Sequence, residues 1–246
     1  MSLKQTEALV IKSYGLSEAD RIVVFFTREY GSVRGVAKGA KRLQSRFGSS
    51  LEPFSTVNLS YFQKEERELV SIQTVELVES RFNIASDPAF LRAFAYLGDL
   101  LIEFAPPHDA DERLYRMINA CMASVTDEAV LPFVKLYFEL WLLRLSGYLP
   151  DWSTCESCGR GLEPNETNYI VAGLHLRCAK CRPRIFVEEI SSESLELFYR
   201  IQKDAPQKFV AGTAGKEVSL ALISSVMRKL IAQALGREVA SNGALR

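Results

Sequence analysis

Arg21-Ile-Val-Val-Phe-Phe-Thr27 holds an unbroken apolar run of β-branched and aromatic residues, Ile22–Phe26, and is closed by Glu29-Tyr30-Gly31-Ser32. A run of that length between turn signals reads as a strand. Its neighbours read the same way. Upstream, Thr6–Ser13 (Thr-Glu-Ala-Leu-Val-Ile-Lys-Ser) is rich in β-formers, and the polar turn Gly15–Asp20 separates it from the first run. Downstream, Ser32–Ala37 resumes with Val33 and Val36, Thr56–Gln63 alternates Val57, Leu59 and Tyr61 with polar residues, and Leu69–Leu77 ends the series. Five short strands within about eighty residues predict a small barrel of the OB type, with an SH3-like barrel as the nearest competitor. Between the last two strands, Lys64–Glu68 reads as a charged hairpin turn. Glu18 and Asp20 read as turn-formers, with an ion pair to Arg21.

Beyond about Glu79 the apolar period changes to that of helices. Asp87 stands as N-cap before Pro88 at the first helical position, and Phe90, Phe94, Leu97, Leu101 and Phe104 recur at helical spacing until Pro106-Pro107. Asp111–Ala123 carries Leu114, Met117, Ile118 and Cys121 on one face. Leu131–Leu145 is apolar around most of its circumference and so reads as central, while Ser191–Gln202 and Glu217–Leu235 are amphipathic. The expected fold class is α+β and multi-domain: a five-stranded OB-type barrel over residues 1–80, then an α-helical domain over residues 81–246.

Two cysteine pairs, Cys155-Glu-Ser-Cys158 and Cys178-Ala-Lys-Cys181, interrupt the helical part. Their spacing suits a zinc ribbon or knuckle, inserted at about residues 152–185. Disulfides and a thioredoxin-like redox pair are the rivals. A redox Cys-x-x-Cys opens a helix after a strand, whereas both pairs here lie among turn formers. Met1–Val10 has no apolar core segment, which points to the cytosol, where disulfides are rare. Four thiolates fill a tetrahedral Zn2+ site and leave no position for water, so the metal is expected to be structural. His175 reads as a bystander and Cys121 as a small core residue.

The 246 residues carry 30 basic and 30 acidic side chains and only 2 histidines. Net charge therefore points to no partner, and a nucleic-acid site has to come from local clustering. One cluster stands out: Arg34, Lys38, Lys41, Arg42 and Arg46, with no acid among them and with Gly35, Gly39, Gly48 and several serines interspersed. A basic loop after a barrel strand suits a phosphate backbone. Phe47, Phe54, Tyr61 and Phe62 are near enough in sequence to stack bases. Core packing is the expectation for all of them except Phe47, which sits inside the loop. No Ser-His-Asp set, phosphate-binding glycine loop or open metal site is present in the sequence, so the expectation is that the protein is not an enzyme. The apolar stretch Phe133–Leu149 contains Lys135, Glu139 and Arg144 and is too short to span a bilayer, so no membrane partner is expected. Rival readings are an adaptor whose loop takes acidic protein tails and a zinc-ribbon factor that binds RNA.

The chain resembles the RecO family of bacterial repair and recombination mediators. The resemblance is carried by Gly15-Leu-Ser-Glu-Ala-Asp-Arg-Ile-Val23, Thr27-Arg-Glu-Tyr-Gly31, Val36-Ala-Lys-Gly-Ala-Lys-Arg42, Ser45-Arg46, Leu51-Glu-Pro-Phe54 and the later Leu142-Leu-Arg-Leu-Ser-Gly-Tyr148. It implies an N-terminal OB-fold and a helical domain carrying a zinc module. It implies binding to single- and double-stranded DNA, annealing of complementary strands, work with RecR, and help in loading RecA onto DNA coated by single-strand-binding protein. A site for that protein's C-terminal tail is implied on the helical body. Arg34, Lys38, Lys41, Arg42 and Arg46 match the family's basic DNA-binding stretch, and Cys155, Cys158, Cys178 and Cys181 match its zinc ligands. A cytoplasmic, nucleoid-associated location follows from the same resemblance.

Overall fold

The computed structural model describes residues 2–64, 68–81, 87–105, 107, 109–163 and 165–237. It divides into two compact units, Met1–Asn119 and Ala120–Arg246.

Five strands build the first unit: β1 (Ser2–Gly15), β2 (Arg21–Thr27), β3 (Gly31–Ala37), β4 (Thr56–Gln63) and β5 (Val70–Glu79). They close into a barrel in the order β1-β2-β3-β5-β4. The long β1 is shared: Ser2–Leu9 pairs with β4, Ala8–Gly15 pairs with β2, and a register shift between Val10 and Lys12 falls in the second ladder. Closure is made by a short parallel seam, Gly35 opposite Val70 and Val36 opposite Ser71. A β-carbon on Gly35 would lie 2.7 Å from Ile72 Cγ1 and 2.9 Å from Val70 Cγ2. Glycine is required there for close approach.

Val10, Val23, Phe25, Val33, Leu59 and Tyr61 fill the barrel core. The outer face is also covered, which explains why β2 is buried along nearly its whole length. Phe26 stacks on Tyr115 at 6.2 Å, and Phe54 meets Phe94 at 5.0 Å. These aromatics come from two helices, α1 (Pro88–Phe104) and α2 (Glu112–Ala123). Asp87 caps α1 as expected, accepting the Ala89 N–H at 2.7 Å.

The second unit holds α3 (Leu131–Leu145), α4 (Ser192–Lys203), α5 (Pro206–Ala211) and α6 (Glu217–Leu235). Helix α3 packs against the other three, which accounts for its lack of a polar face. Ser191 caps α4 by accepting the Ser194 N–H at 3.2 Å. Helix α6 is long and apolar enough by composition to cross a membrane, yet Ile223, Val226, Met227, Leu230 and Ile231 are buried within this unit. Cys121 is buried in the same unit. A small sheet, β7-β6-β8 (Leu176–Arg177, Asn168–Ile170, Glu188–Ile190), lies between α3 and α4 in sequence and frames the cysteine module.

Candidate nucleic-acid interface and metal centre

The basic residues leave the barrel together. Arg34 points outward from β3, and Lys38, Lys41, Arg42 and Arg46 are all exposed on the segment that follows. This segment is not a slack loop. Its backbone makes successive turns, with Arg42 N–H to Gly39 O at 3.1 Å, Ser45 N–H to Arg42 O at 3.0 Å and Gly48 N–H to Ser45 O at 3.3 Å. Gly39 supplies the positive φ of 74° that starts the series. The β1–β2 turn braces it: Lys41 donates its backbone N–H to Ala19 O at 3.0 Å and its Nζ to Ser17 O at 2.6 Å.

Asp20 takes part in the same brace. Its carboxylate accepts the Gly39 N–H at 2.8 Å, while Arg21 reaches Ser13 Oγ at 3.4 Å. The expected Asp20–Arg21 ion pair is therefore replaced by a staple between two loops, because a fixed backbone donor lies closer to the carboxylate. Among the described residues, Arg34 is the one member of the quintet held by a carboxylate, Glu68 at 3.7 Å across an exposed surface. Arg46 lies over the Phe47 ring at 4.9 Å and donates to Ile72 O at 3.4 Å.

Phe47 is corrected by the structure. It is 1% exposed and joins the barrel core with Leu51, four residues on across the 3-10 turn Gly48–Leu51, so it offers no face to a base. The apolar i, i+4 spacing of Phe47 and Leu51 was the available signal. Phe54 and Tyr61 are buried as expected. Phe62 is different: half-buried, it lines a groove of about 610 Å3 with Val36, Lys38, Lys64, Leu69 and Ser71. An aromatic, two lysines and the Glu68 carboxylate thus share one concave surface beside the basic segment. Of the expected hairpin turn, Lys64 and Glu68 are exposed, and residues 65–67 lie outside the described residues.

In the second unit the four cysteines of the two pairs converge, with all sulfurs within 4.8 Å of one another and Cys158 Sγ 4.0 Å from Cys178 Sγ. Sulfurs around a tetrahedral zinc are spaced by about 3.8 Å, so the donor set fits that ion with small adjustment. Backbone geometry prepares the site. Gly159 at φ 71° lets its N–H reach Cys155 O at 2.9 Å, and the Cys178 N–H points at Cys155 Sγ at 3.4 Å. Burial pushes the Cys155 thiol up, but the backbone N–H groups of Cys178, Cys158 and Ser157 outweigh it and bring the group down to about 6. The Arg160 guanidinium likewise overcomes burial to lower Cys178, and is itself fixed by Glu166 at 2.5 Å. Cys181, facing the Cys158 and Cys178 sulfurs, is raised to about 11. Four sulfurs this close need a cation to become four thiolates.

The cysteine module is anchored to the helices. Trp152, 1% exposed, lies 4.4 Å from the Phe198 ring, donates Nε1–H to Leu174 O at 2.8 Å, and accepts the Tyr199 hydroxyl on its own carbonyl at 2.6 Å. Around this anchor, Arg144, Leu149, Pro150, Trp152, Tyr199 and Lys203 line a second groove of about 660 Å3. Sequence reading had no means of finding it, because its walls come from three separate segments.

Comparison with known proteins agrees with both halves. Residues 1–81 match the family described as Recombination protein O N terminal, and residues 85–243 match Recombination protein O C terminal. A DNA repair protein RecO of Syntrophotalea carbinolica is 29% identical over 236 residues, covering 96% of this chain and 91% of that one. The RecO protein of Geobacter metallireducens is 33% identical over 181 residues, 74% of this chain and 73% of its own. That of Koribacter versatilis is 34% identical over 162 residues, 65% of this chain and 66% of its own. With both halves matched in order along nearly the whole length, the chain belongs to the RecO family of DNA repair proteins.

Proposed function

We propose that this protein is a non-enzymatic mediator of homologous recombination whose barrel is an OB-type DNA-binding module. Support for the OB type comes from the strand order and from the parallel β3–β5 closure. Arg34, Lys38, Lys41, Arg42 and Arg46 hold phosphates of single- or double-stranded DNA, and the groove lined by Phe62, Lys38, Lys64 and Glu68 takes a base. The single observation that carries this reading is a braced, hydrogen-bonded segment of the barrel that presents four exposed cations, none paired with a carboxylate among the described residues. A segment whose backbone is already held in place loses little freedom on binding. Annealing follows from the same feature, since neutralising two backbones at once lowers the repulsion between complementary strands.

Cys155, Cys158, Cys178 and Cys181 hold a structural Zn2+ that stiffens the module on α4. The groove beside it, lined by Arg144, Lys203, Trp152 and Leu149 with Asp151 as its one acid, suits an acidic, apolar peptide such as the C-terminal tail of single-strand-binding protein. RecR is the further partner, and the joint outcome is loading of RecA onto coated DNA in the bacterial cytoplasm. The test is strand annealing and RecA loading on DNA coated by single-strand-binding protein, with and without RecR. Replacement of the five basic residues by alanine is expected to abolish annealing; wild-type annealing in that variant would refute the assignment.

A further inference from the structure

Leu43 is the most exposed large apolar side chain among the described residues, at 107% relative exposure. Single exposed leucines are ordinary on protein surfaces. This one differs in where it stands and in how it is held. It occupies the second position of the turn closed by Ser45 N–H to Arg42 O, so its side chain projects from the apex. Lys41, Arg42 and Arg46 surround it in sequence, all exposed. Both sides of the turn are anchored. Lys41 is fixed to the β1–β2 turn through backbone and side chain, and Phe47 is seated in the barrel core. The result is a stiff apolar point flanked in sequence by exposed cations.

A ligand complementary to such a point has an apolar slot flanked by negative charge. A base step in a nucleic acid is that object: two apolar planes between phosphates, into which proteins drive leucine and similar wedges to unstack them. We propose that Leu43 is a wedge that enters between neighbouring bases of the DNA held by the basic segment, favouring single strands and frayed or mismatched duplex over intact duplex. This rests on the reading of the segment as a DNA site and adds to it a residue that separates bases.

The test compares wild type, Leu43→Ala, and a variant with Lys38, Lys41, Arg42 and Arg46 changed to alanine. Each is titrated with an oligonucleotide containing 2-aminopurine, as single strand, as matched duplex and as duplex with one mismatch. Wild type is expected to raise 2-aminopurine emission and to prefer the mismatched duplex. Leu43→Ala, which removes no packed contact, is expected to lose both effects and to bind single strands roughly three- to tenfold more weakly, because apolar burial is offset by the cost of unstacking. Its dependence on salt is expected to be unchanged, since every cation remains. Equal affinity and equal emission in Leu43→Ala, with a steep salt dependence in both proteins, would overturn the wedge and leave the phosphate site standing. Wild-type binding by the four-charge variant would instead remove the DNA site, and the wedge with it. If Leu43→Ala binds DNA normally and loses binding to an acidic protein partner, the residue is a protein contact and the wedge is wrong.

Discussion

Gly35→Ala tests how the barrel closes, because two physical effects give it opposite signs. Replacing a strand glycine by alanine lowers the entropy of the unfolded chain and, where the site has room, stabilises by about 0.4–1 kcal/mol. The site here has no room. The new methyl would stand 2.7 Å from Ile72 Cγ1, 2.9 Å from Val70 Cγ2 and 3.0 Å from Ile72 Cδ1, all on the strand that Gly35 must meet. Overpacking of this kind costs about 1–3 kcal/mol. For a unit of this size that lowers the melting temperature by roughly 4–12 °C. The assay is a thermal melt combined with hydrogen exchange on peptides from β3 and β5, whose amides are expected to exchange faster if the seam opens. Removing the obstruction with Ile72→Ala is expected to make the double variant less than additive, by about 1 kcal/mol. A raised melting temperature with unchanged exchange in β3 and β5 would refute the close approach.

Other expectations concern the core and the metal module. Tyr61 is buried in the barrel, and burial, with the Tyr30 and Glu29 charges, pushes its hydroxyl up to about 12. A raised folded-state value means that stability is intact below pH 10 and is lost between about pH 10 and 12, at roughly 1.4 kcal/mol per pH unit; Tyr61→Phe should flatten that part of an alkaline unfolding curve. Removing Arg160, which faces Cys178 and is fixed by Glu166, should weaken metal binding by about 10–100-fold in a chelator competition, with the four ligands untouched. Chelation, or Cys155→Ser with Cys178→Ser, is expected to lower the stability of the helical unit while leaving affinity for single-stranded DNA within about twofold, measured by melting and fluorescence anisotropy. A larger loss of DNA affinity than of stability would place the module itself on DNA.

Much of the barrel could be read because its strands are long enough to show their pattern. Val57, Leu59 and Tyr61 alternate into the core of β4, and Arg21–Thr27 is β2 to the residue. The alternation fails in β2 and in the middle of β1, where α1 and α2 cover the outer face, so an apolar run was the only local sign. The sheet around the cysteines escaped notice because strands of two or three residues have no period. Helix α5 escaped because Pro206–Ala211 is barely more than one turn. Of the functional candidates, the cysteines were legible as a cluster, since their spacing lets the two pairs converge on one another. The basic residues were legible as a cluster, but their bracing was not: it depends on Asp20 and Ser17, about twenty residues upstream, and on hydrogen bonds to main-chain atoms. Phe47 was misread for a related reason. A loop residue becomes core when the chain after it turns back on the barrel, and its immediate neighbours do not report that.

The claim that the segment Arg34–Arg46 holds DNA phosphates is tested most directly by the salt dependence of binding to single-stranded DNA. Affinity should fall linearly with salt on logarithmic axes, at about 0.7 in slope per phosphate neutralised. Alanine at Arg34, Lys38, Lys41, Arg42 and Arg46 together is expected to weaken binding and to flatten the slope by about 3.5. A variant that keeps the wild-type slope and affinity would show that the phosphates are held elsewhere and would contradict the account.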